Sequence, residues 1–182
     1  FSDMLKAAVL HPAMLIYLNN AQSRADRLNE NYARELLELH TMGVGSGYDQ
    51  QDVQQLARVL TGATVDIRQW PPPAAPRGGV RDGLFVFDPA LHDGGRKTLL
   101  GQTVDQKGMA GIAEATTLLC RQPATATRIA RKLATYFVGD TPAPALVDRM
   151  AASFTASDGD IAAVLRTLFA SPEFTASLGT LY

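Results

Sequence analysis

The sequence predicts a mainly α fold, a multi-helix orthogonal or bundle-like domain with a short β-hairpin inside a long irregular insertion. Apolar residues recur with a helical period in the first third of the chain and again after Lys107. Between these regions, at about 64–106, that period is lost and prolines and glycines are frequent. A length of 182 residues fits one domain. We therefore expect residues 1–182 to form a single helical domain that carries one insertion.

Two helices are expected at the start of the chain. Leu5 and Val9 mark the apolar face of the first helix. Pro12 suits the first position of the second helix, because its missing N–H would have no partner there. We expect this second helix to end near Asn19-Asn20.

Two further helices are expected before the insertion. The third lies in NENYARELLELHTMG, residues 29–43, which we call the 29–43 segment, and Gly43 closes it. Asp49 is followed by Asp52 three residues later, which is a capping-box-like start for the fourth helix. Gly62 is the natural stop of that helix.

The insertion contains turn signals and two short apolar runs. Pro71-Pro72-Pro73 and Gly78-Gly79 indicate an irregular loop. We interpret 84–87 and 98–100 as two short strands, joined by a turn around residues 92–95. These strands and their turn form the predicted hairpin.

Helices return after the insertion. Their expected ranges are about 108–120, 123–138, 143–155 and 160–170, with a short one from Pro172. Ser171-Pro172-Glu173 is a strong start signal, because it supplies a cap, a proline at the first position and an acid in the first turn.

Composition excludes several classes of function. The formal net charge of −1 gives no global attraction to nucleic acid or anionic lipid. No apolar run approaches the roughly 18 residues that a membrane span needs. Cys120 is the only cysteine, so an intrachain disulfide and a thiolate zinc cluster are both excluded. It follows Leu118-Leu119, which suggests a buried thiol.

The 29–43 segment is the first candidate site. At about 100° per residue, Asn31, Arg34, Glu35 and Glu38 fall on one side of the helix. One interpretation is a solvated face opposite a core face, helped by Arg34–Glu38 pairing at i,i+4. The other is a pocket in which Asn31 and Arg34 bind a ligand or anion.

The same pocket is a candidate for a divalent metal. Two carboxylates one helical turn apart, Glu35 and Glu38, can share a cation, and His40 could complete the set. Against this, Leu37 stands where a Glu-x-x-His motif would need a glutamate. His40 lies in the last turn of the helix, where it could instead cap carbonyl groups.

LHDGGRKTLLG, residues 91–101, is the second candidate site. Asp-Gly-Gly is ordinary hairpin-turn chemistry, which favours a structural interpretation. In the catalytic interpretation His92 is the acid/base, Asp93 orients it and Lys97 clamps an anion. Gly95 would then allow backbone N–H groups to approach that anion.

A basic stripe follows on the helix at 123–138. Arg128, Arg131 and Lys132 have the spacing i, i+3, i+4, opposite an apolar stripe. A solvated face is one interpretation, and docking of the stripe against Glu35 and Glu38 is the other. Nucleic-acid binding is not expected, because a basic excess and interleaved aromatic residues are missing.

Five stretches in order resemble the bacterial family catalogued as domain of unknown function 1800. They are HPAMLIYLNN, NENYARELLELHTMGVGSGYDQQDVQQLARVLTG, FVFDPALHDGGRKTLLG, QPATATRIARKLATYFV and SDGDIAAVLRTLFASPEF. Both candidate sites fall in the second and third of these stretches. The family often has tryptophan where this chain has Ala63, so an aromatic wall is not expected there.

The resemblance implies a C-terminal portion of a longer protein, in agreement with a chain that starts at Phe1. Members are often encoded beside a sulfatase-like family of exported proteins, domain of unknown function 1501. That neighbourhood implies a sulfatase-like partner and an exported, periplasmic location. It implies no reaction.

Two hypotheses about function follow. The first is a binding or scaffold domain that acts with the exported sulfatase-like partner. The second is a metal-assisted or acid/base hydrolase, in which His92 and Asp93 approach the carboxylates of the 29–43 segment. The second hypothesis requires both candidate sites to meet in the folded chain.

Overall fold

A computed structural model describes residues 1–67 and 73–179, and it has the predicted mainly α architecture. The α-helices are α1 (Ser2–Leu10), α2 (Pro12–Tyr17), α3 (Asn31–Glu35), α4 (Gln50–Leu60), α5 (Gly108–Cys120), α6 (Pro123–Phe137), α7 (Pro144–Ala156), α8 (Ile161–Phe169) and α9 (Pro172–Ser177). The strands are β1 (Ala63–Val65), β2 (Val80–Asp82), β3 (Phe85–Phe87), β4 (Lys97–Leu99) and β5 (Gln102–Val104). None of the helices in the described ranges is long and apolar enough to cross a membrane.

The predicted helix signals act at the expected residues. Asp49 and Asp52 form a reciprocal capping box at the start of α4. Gly62 follows the end of α4 with φ +86°, in the left-handed region that favours glycine. Ser171 caps α9 by accepting a hydrogen bond from the backbone N–H of Phe174.

The predicted pairing of the strands is wrong, although both strands exist. β3 is the centre of an antiparallel sheet of order β1-β3-β2, and β4 pairs with β5 through the two-residue turn Leu100-Gly101. All three residues of β3 are buried, as in a central strand. Strands β2 and β5 are joined to β3 and β4 by short turns, which favours these pairings. Residues 92–95 therefore connect two sheets. Pro71 and Pro72 of the predicted loop lie outside the described residues.

Two hydrophobic clusters form the core. The larger one joins the helices before the insertion, the insertion itself and α5, and the smaller one lies among α6, α7 and α8. Ala124 at the start of α6 packs against the larger cluster, whereas Ala126, Ala130 and Ala134 belong to the smaller one. Helix α6 therefore links the two parts of the molecule.

Candidate functional site

The inner face of the 29–43 segment is structural. Tyr32, Leu36 and Leu37 are buried, and the Tyr32 hydroxyl donates a hydrogen bond to the carbonyl of Val9 at 3.1 Å. Burial raises the pKa of Tyr32 far above its ordinary range. The side chain of Asn31 donates from Nδ2 to the carbonyl of Leu18 at 3.2 Å, which ties the segment to the end of α2.

The outer face of the segment carries a polar network centred on Arg34. Its guanidinium lies 3.5 Å from Glu30 and 3.8 Å from Glu38, and it donates to Oε1 of Gln50 at 2.8 Å. Gln50 in turn donates to Glu30 at 2.6 Å. The predicted Arg34–Glu38 pair is confirmed, and the network joins the segment to the first residue of α4.

Immediately after α3 the chain forms a π-helix at Leu36–His40, a rare conformation that is frequent at functional sites. Side chains satisfy the carbonyls that this wide turn frees. Nδ1 of His40 lies 2.9 Å from the carbonyl oxygen of Glu35, and the Thr41 hydroxyl donates to that of Leu36 at 2.7 Å. His40 thus caps a carbonyl, as one of the two interpretations predicts.

The predicted metal ligands are not assembled into a site. In residues 1–67 and 73–179, no three His, Cys, Asp or Glu side chains are grouped so that they could hold a metal ion. His40 Nδ1 lies at the carbonyl of Glu35, and the Glu38 carboxylate faces Arg34. Two of the three predicted ligands, His40 and Glu38, therefore already have a protein partner.

The basic stripe of α6 meets the 29–43 segment at one residue. Arg128 donates to the carbonyl of Leu39 at 3.4 Å, and its guanidinium lies over Gly43, whose added Cβ would stand 3.1 Å from Nη1. Among the described residues, no salt bridge joins Arg128 to Glu35 or Glu38. Of the two interpretations of the stripe, docking on those carboxylates is therefore wrong. A backbone carbonyl takes their place.

Tyr48 lies near the polar side chains of the 29–43 segment and Arg128. Desolvation raises the pKa of Tyr48, as does its interaction with the Glu38 carboxylate, while the charges of Arg34 and Arg128 lower it. These four side chains therefore lie within electrostatic range of one another. Tyr48 was not a candidate residue from the sequence, because it lies in a glycine-rich loop outside any periodic pattern.

His92 is held by both ring nitrogens. Nδ1 lies 2.7 Å from the carbonyl oxygen of Thr61, and Nε2 accepts from the backbone N–H of Gly108 at 3.2 Å. Because a backbone N–H can only donate, Nε2 is unprotonated and Nδ1 carries the hydrogen. Burial lowers the pKa of His92, which keeps the ring neutral. The lone pair that a general base would use is occupied.

Asp93 and Lys97 are also fully engaged. Asp93 binds Arg58 through both carboxylate oxygens, at 2.7 and 3.2 Å, and this hydrogen bonding lowers the pKa of Asp93 from 3.8 to about 2. Lys97 is only 5% exposed, and its Nζ donates to the carbonyls of Asp93 and Gly95. The three predicted catalytic residues thus lie close together, but their hydrogen bonds attach the loop at residues 92–97 to the end of α4.

The two candidate sites contact opposite ends of α4. The 29–43 segment bonds to Gln50 at its first residue, whereas His92 bonds to Thr61 just after its last. Eleven residues at 1.5 Å each separate these positions, so the contact points are about 16 Å apart. The structure does not bring His92 to Glu35, Glu38 and His40, and the joint site of the hydrolase hypothesis is not formed.

We expect the neutral state of His92 to appear as a pH dependence of stability. The pKa of His92 is lower in the folded chain than its ordinary value of 6.5, so the unfolded chain binds the proton more tightly. Stability should fall as the pH drops from 7 to 5, because a protonated Nε2 cannot accept the N–H of Gly108. Urea unfolding of wild type and His92→Gln measures it. A fall of equal size in the variant would contradict the assignment.

Comparison with known proteins identifies one family. The model of the family described as Protein of unknown function (DUF1800) matches residues 1–181. No significant match was found among curated proteins or among solved structures.

Proposed function

The chain belongs to the family Protein of unknown function (DUF1800), and on this premise we propose that it is a protein-binding domain. The proposed contact surface is formed by Leu39, Val44, Tyr48 and Arg128, where the 29–43 segment and the following loop meet α6. We propose further that the partner is the exported sulfatase-like protein implied by the family resemblance. This places the domain outside the cytoplasm.

One observation carries the proposal: apolar side chains are exposed beside an ordered polar network. Leu39 is 52% exposed and Val44 is 77% exposed. Arg128 holds the backbone at both residues, because it donates to the carbonyl of Leu39 and packs on Gly43, the residue before Val44. Protein interfaces combine exposed apolar anchors with a polar rim in this way.

The π-helix supports the same surface. A regular α-helix through residues 36–40 would place Leu39 at a different angle relative to the buried Leu36 and Leu37. The wide turn is held by Thr41 and His40, whose side chains bond to freed carbonyls. Leu39 is therefore presented by a backbone with fixed geometry, which reduces the entropy lost on binding.

The hydrolase alternative has weaker support. Both nitrogens of His92, both oxygens of Asp93 and the ammonium of Lys97 bond within the protein. A hydrolytic role would require these bonds to break before the residues could reach a substrate. The contact surface needs no such rearrangement.

The test is binding of a sulfatase-like protein of the family implied by the resemblance, measured by isothermal titration calorimetry. We expect wild type to bind, and Leu39→Glu with Val44→Glu to weaken binding by tenfold or more, because each change places a charge in the apolar part of the interface. Ile16→Glu with Tyr17→Glu is the matched control, since these residues are equally exposed on α2.

The control pair should bind within about twofold of wild type. Equal weakening by the two pairs would show that this surface is not the contact. Absence of binding by folded wild type would contradict the assignment of the partner.

A further inference from the structure

The outer face of α6 continues the proposed contact surface. Arg128, Arg131, Lys132 and Tyr136 lie on one side of this helix, opposite Ala126, Ala130 and Ala134, which are buried in the smaller cluster. We call these four residues the α6 outer face. Arg128 stands at its start, where it bonds to Leu39, and Tyr136 lies about 12 Å further along the helix axis.

The cations of this face have no acidic partner among residues 1–67 and 73–179. Within the described ranges, no carboxylate forms a salt bridge with Arg128, Arg131 or Lys132. Most other arginines of the described chain are paired, for example Arg121 with Asp158 and Arg149 with Glu173. A chain with a net charge of −1 thus carries three neighbouring positive charges on one helix that lack a carboxylate partner in the described ranges.

Tyr136 indicates that the face is more than a solvated stripe. It is 79% exposed, and its ring stands edge-on to Phe137 with the centroids 4.9 Å apart. Phe137 contacts the half-exposed Phe169 in turn, and it packs against the smaller core cluster, so the Tyr136 ring lies against a row of aromatic side chains. Exposed tyrosine and arginine are the residue types that most often dominate binding energy at protein interfaces.

We propose that the α6 outer face binds an acidic segment of the partner protein, with carboxylates on Arg128, Arg131 and Lys132 and an apolar side chain on Tyr136. The exposed Leu39 and Val44 lie at the Arg128 end, so the complete surface is apolar at both ends and basic between them. An amphipathic acidic segment complements this order. Nucleic acid would need a larger basic area and several stacking rings. A membrane would need a broader apolar face.

This inference rests on the proposed function, and its test uses a probe that does not depend on the partner. The probe is a fluorescein-labelled peptide with Glu and Asp spaced i,i+4 and one leucine per turn, compared with a peptide in which Gln and Asn replace the acids. We expect the acidic peptide to bind wild type about tenfold more tightly at low salt, and the difference to shrink as salt screens the charges.

Variants localise the binding. Arg131→Gln with Lys132→Gln should lower the affinity for the acidic peptide about tenfold, and Tyr136→Ala should lower it about fivefold. Arg96→Gln with Lys107→Gln is the matched control, because both residues are exposed and lie in the insertion and at its end. The control pair should bind within about twofold of wild type.

Equal losses in the two double variants would overturn the inference, since they would indicate general attraction to basic residues. Tighter binding of single-stranded DNA or of phosphatidylserine vesicles than of the acidic peptide would overturn the choice of partner.

The proposed function and this inference can fail separately. If the sulfatase-like protein binds wild type and Arg131→Gln with Lys132→Gln equally, only this inference fails. If that protein does not bind while the acidic peptide binds at α6, only the assignment of the partner fails.

Discussion

Gly62→Ala is expected to lower the free energy of unfolding by about 3–5 kcal/mol, because strain and steric overlap act together. Gly62 has φ +86°, a conformation that residues with a Cβ rarely adopt. An added Cβ would also lie 2.8 Å from the carbonyl oxygen of Asp88 and 3.0 Å from Cβ of His92. The Asp88 backbone cannot move away cheaply, because its N–H donates to the carbonyl of Gly62 at 2.9 Å.

Gly45→Ala is the matched control for this prediction. Gly45 has φ +70°, but no atom lies within 4 Å of its added Cβ. The control therefore carries the conformational cost alone, about 1–2 kcal/mol. Urea unfolding of both variants at pH 7 measures the difference. Equal losses of unfolding free energy in the two variants would contradict the prediction. They would mean that the loop at residues 88–92 shifts without cost despite the hydrogen bond from Asp88 to Gly62.

The helices could be predicted because their signals are local. Pro12, Asp49 with Asp52, and Ser171 each act within one turn of the helix that they start. The helical period of the apolar residues then extends from each start, and burial of one face follows from it. The mainly α class and the approximate helix ranges therefore depend on neighbouring residues alone.

Strand pairing could not be predicted in the same way. Each strand has only three residues, which is too short for an alternating pattern to show which face is buried. β3 pairs with β1, which lies more than 20 residues earlier in the chain. The sequence between 84 and 100 suggests a hairpin only because the two apolar runs and the Asp-Gly-Gly turn are adjacent.

The residue types of both candidate sites were recognisable, but not their roles. His92 looks like a catalytic base until its partners are known, and those partners, Thr61 and Gly108, are 31 and 16 residues away. Arg58, which holds Asp93, is equally remote in sequence. A polar residue in a turn is identical in sequence whether it binds a substrate or fastens a loop. The hydrogen-bond partners decide between the two.

The π-helix is the feature of the 29–43 segment that sequence patterns miss. Leu36 and Leu37 fit an α-helical core face, so nothing in the periodicity indicates a wider turn. The wide turn depends on side chains that satisfy the carbonyls it frees, here those of His40 and Thr41. Because Leu39 lies inside this turn, the proposed contact surface also depends on it.

Asn20→Asp is the second substitution with a large expected effect, about 3–5 kcal/mol at neutral pH. Asn20 is 1% exposed, and its Nδ2 donates to the carbonyls of Leu60 and Ala63 at 3.1 and 2.9 Å. Aspartate would replace this donor with a buried carboxylate that faces two carbonyl oxygens. The two bonds hold the end of α4 and the start of β1 against the turn after α2.

The expected effect has a pH dependence that identifies its cause. Burial beside two carbonyls should raise the pKa of the introduced carboxyl in the folded chain above its unfolded value of about 3.9. A group with a raised folded pKa destabilises most above that pKa, and the loss should diminish as the pH falls toward about 4. Asn20→Ala is the control, because it removes the same two bonds, costs about 2–4 kcal/mol and adds no titrating group. Urea unfolding of wild type and both variants from pH 8 to 4.5 separates loss of the two hydrogen bonds from burial of the carboxylate. A pH-independent difference between the variants would show that the carboxylate reaches solvent. The buried contact of Asn20 with α4 would then open readily.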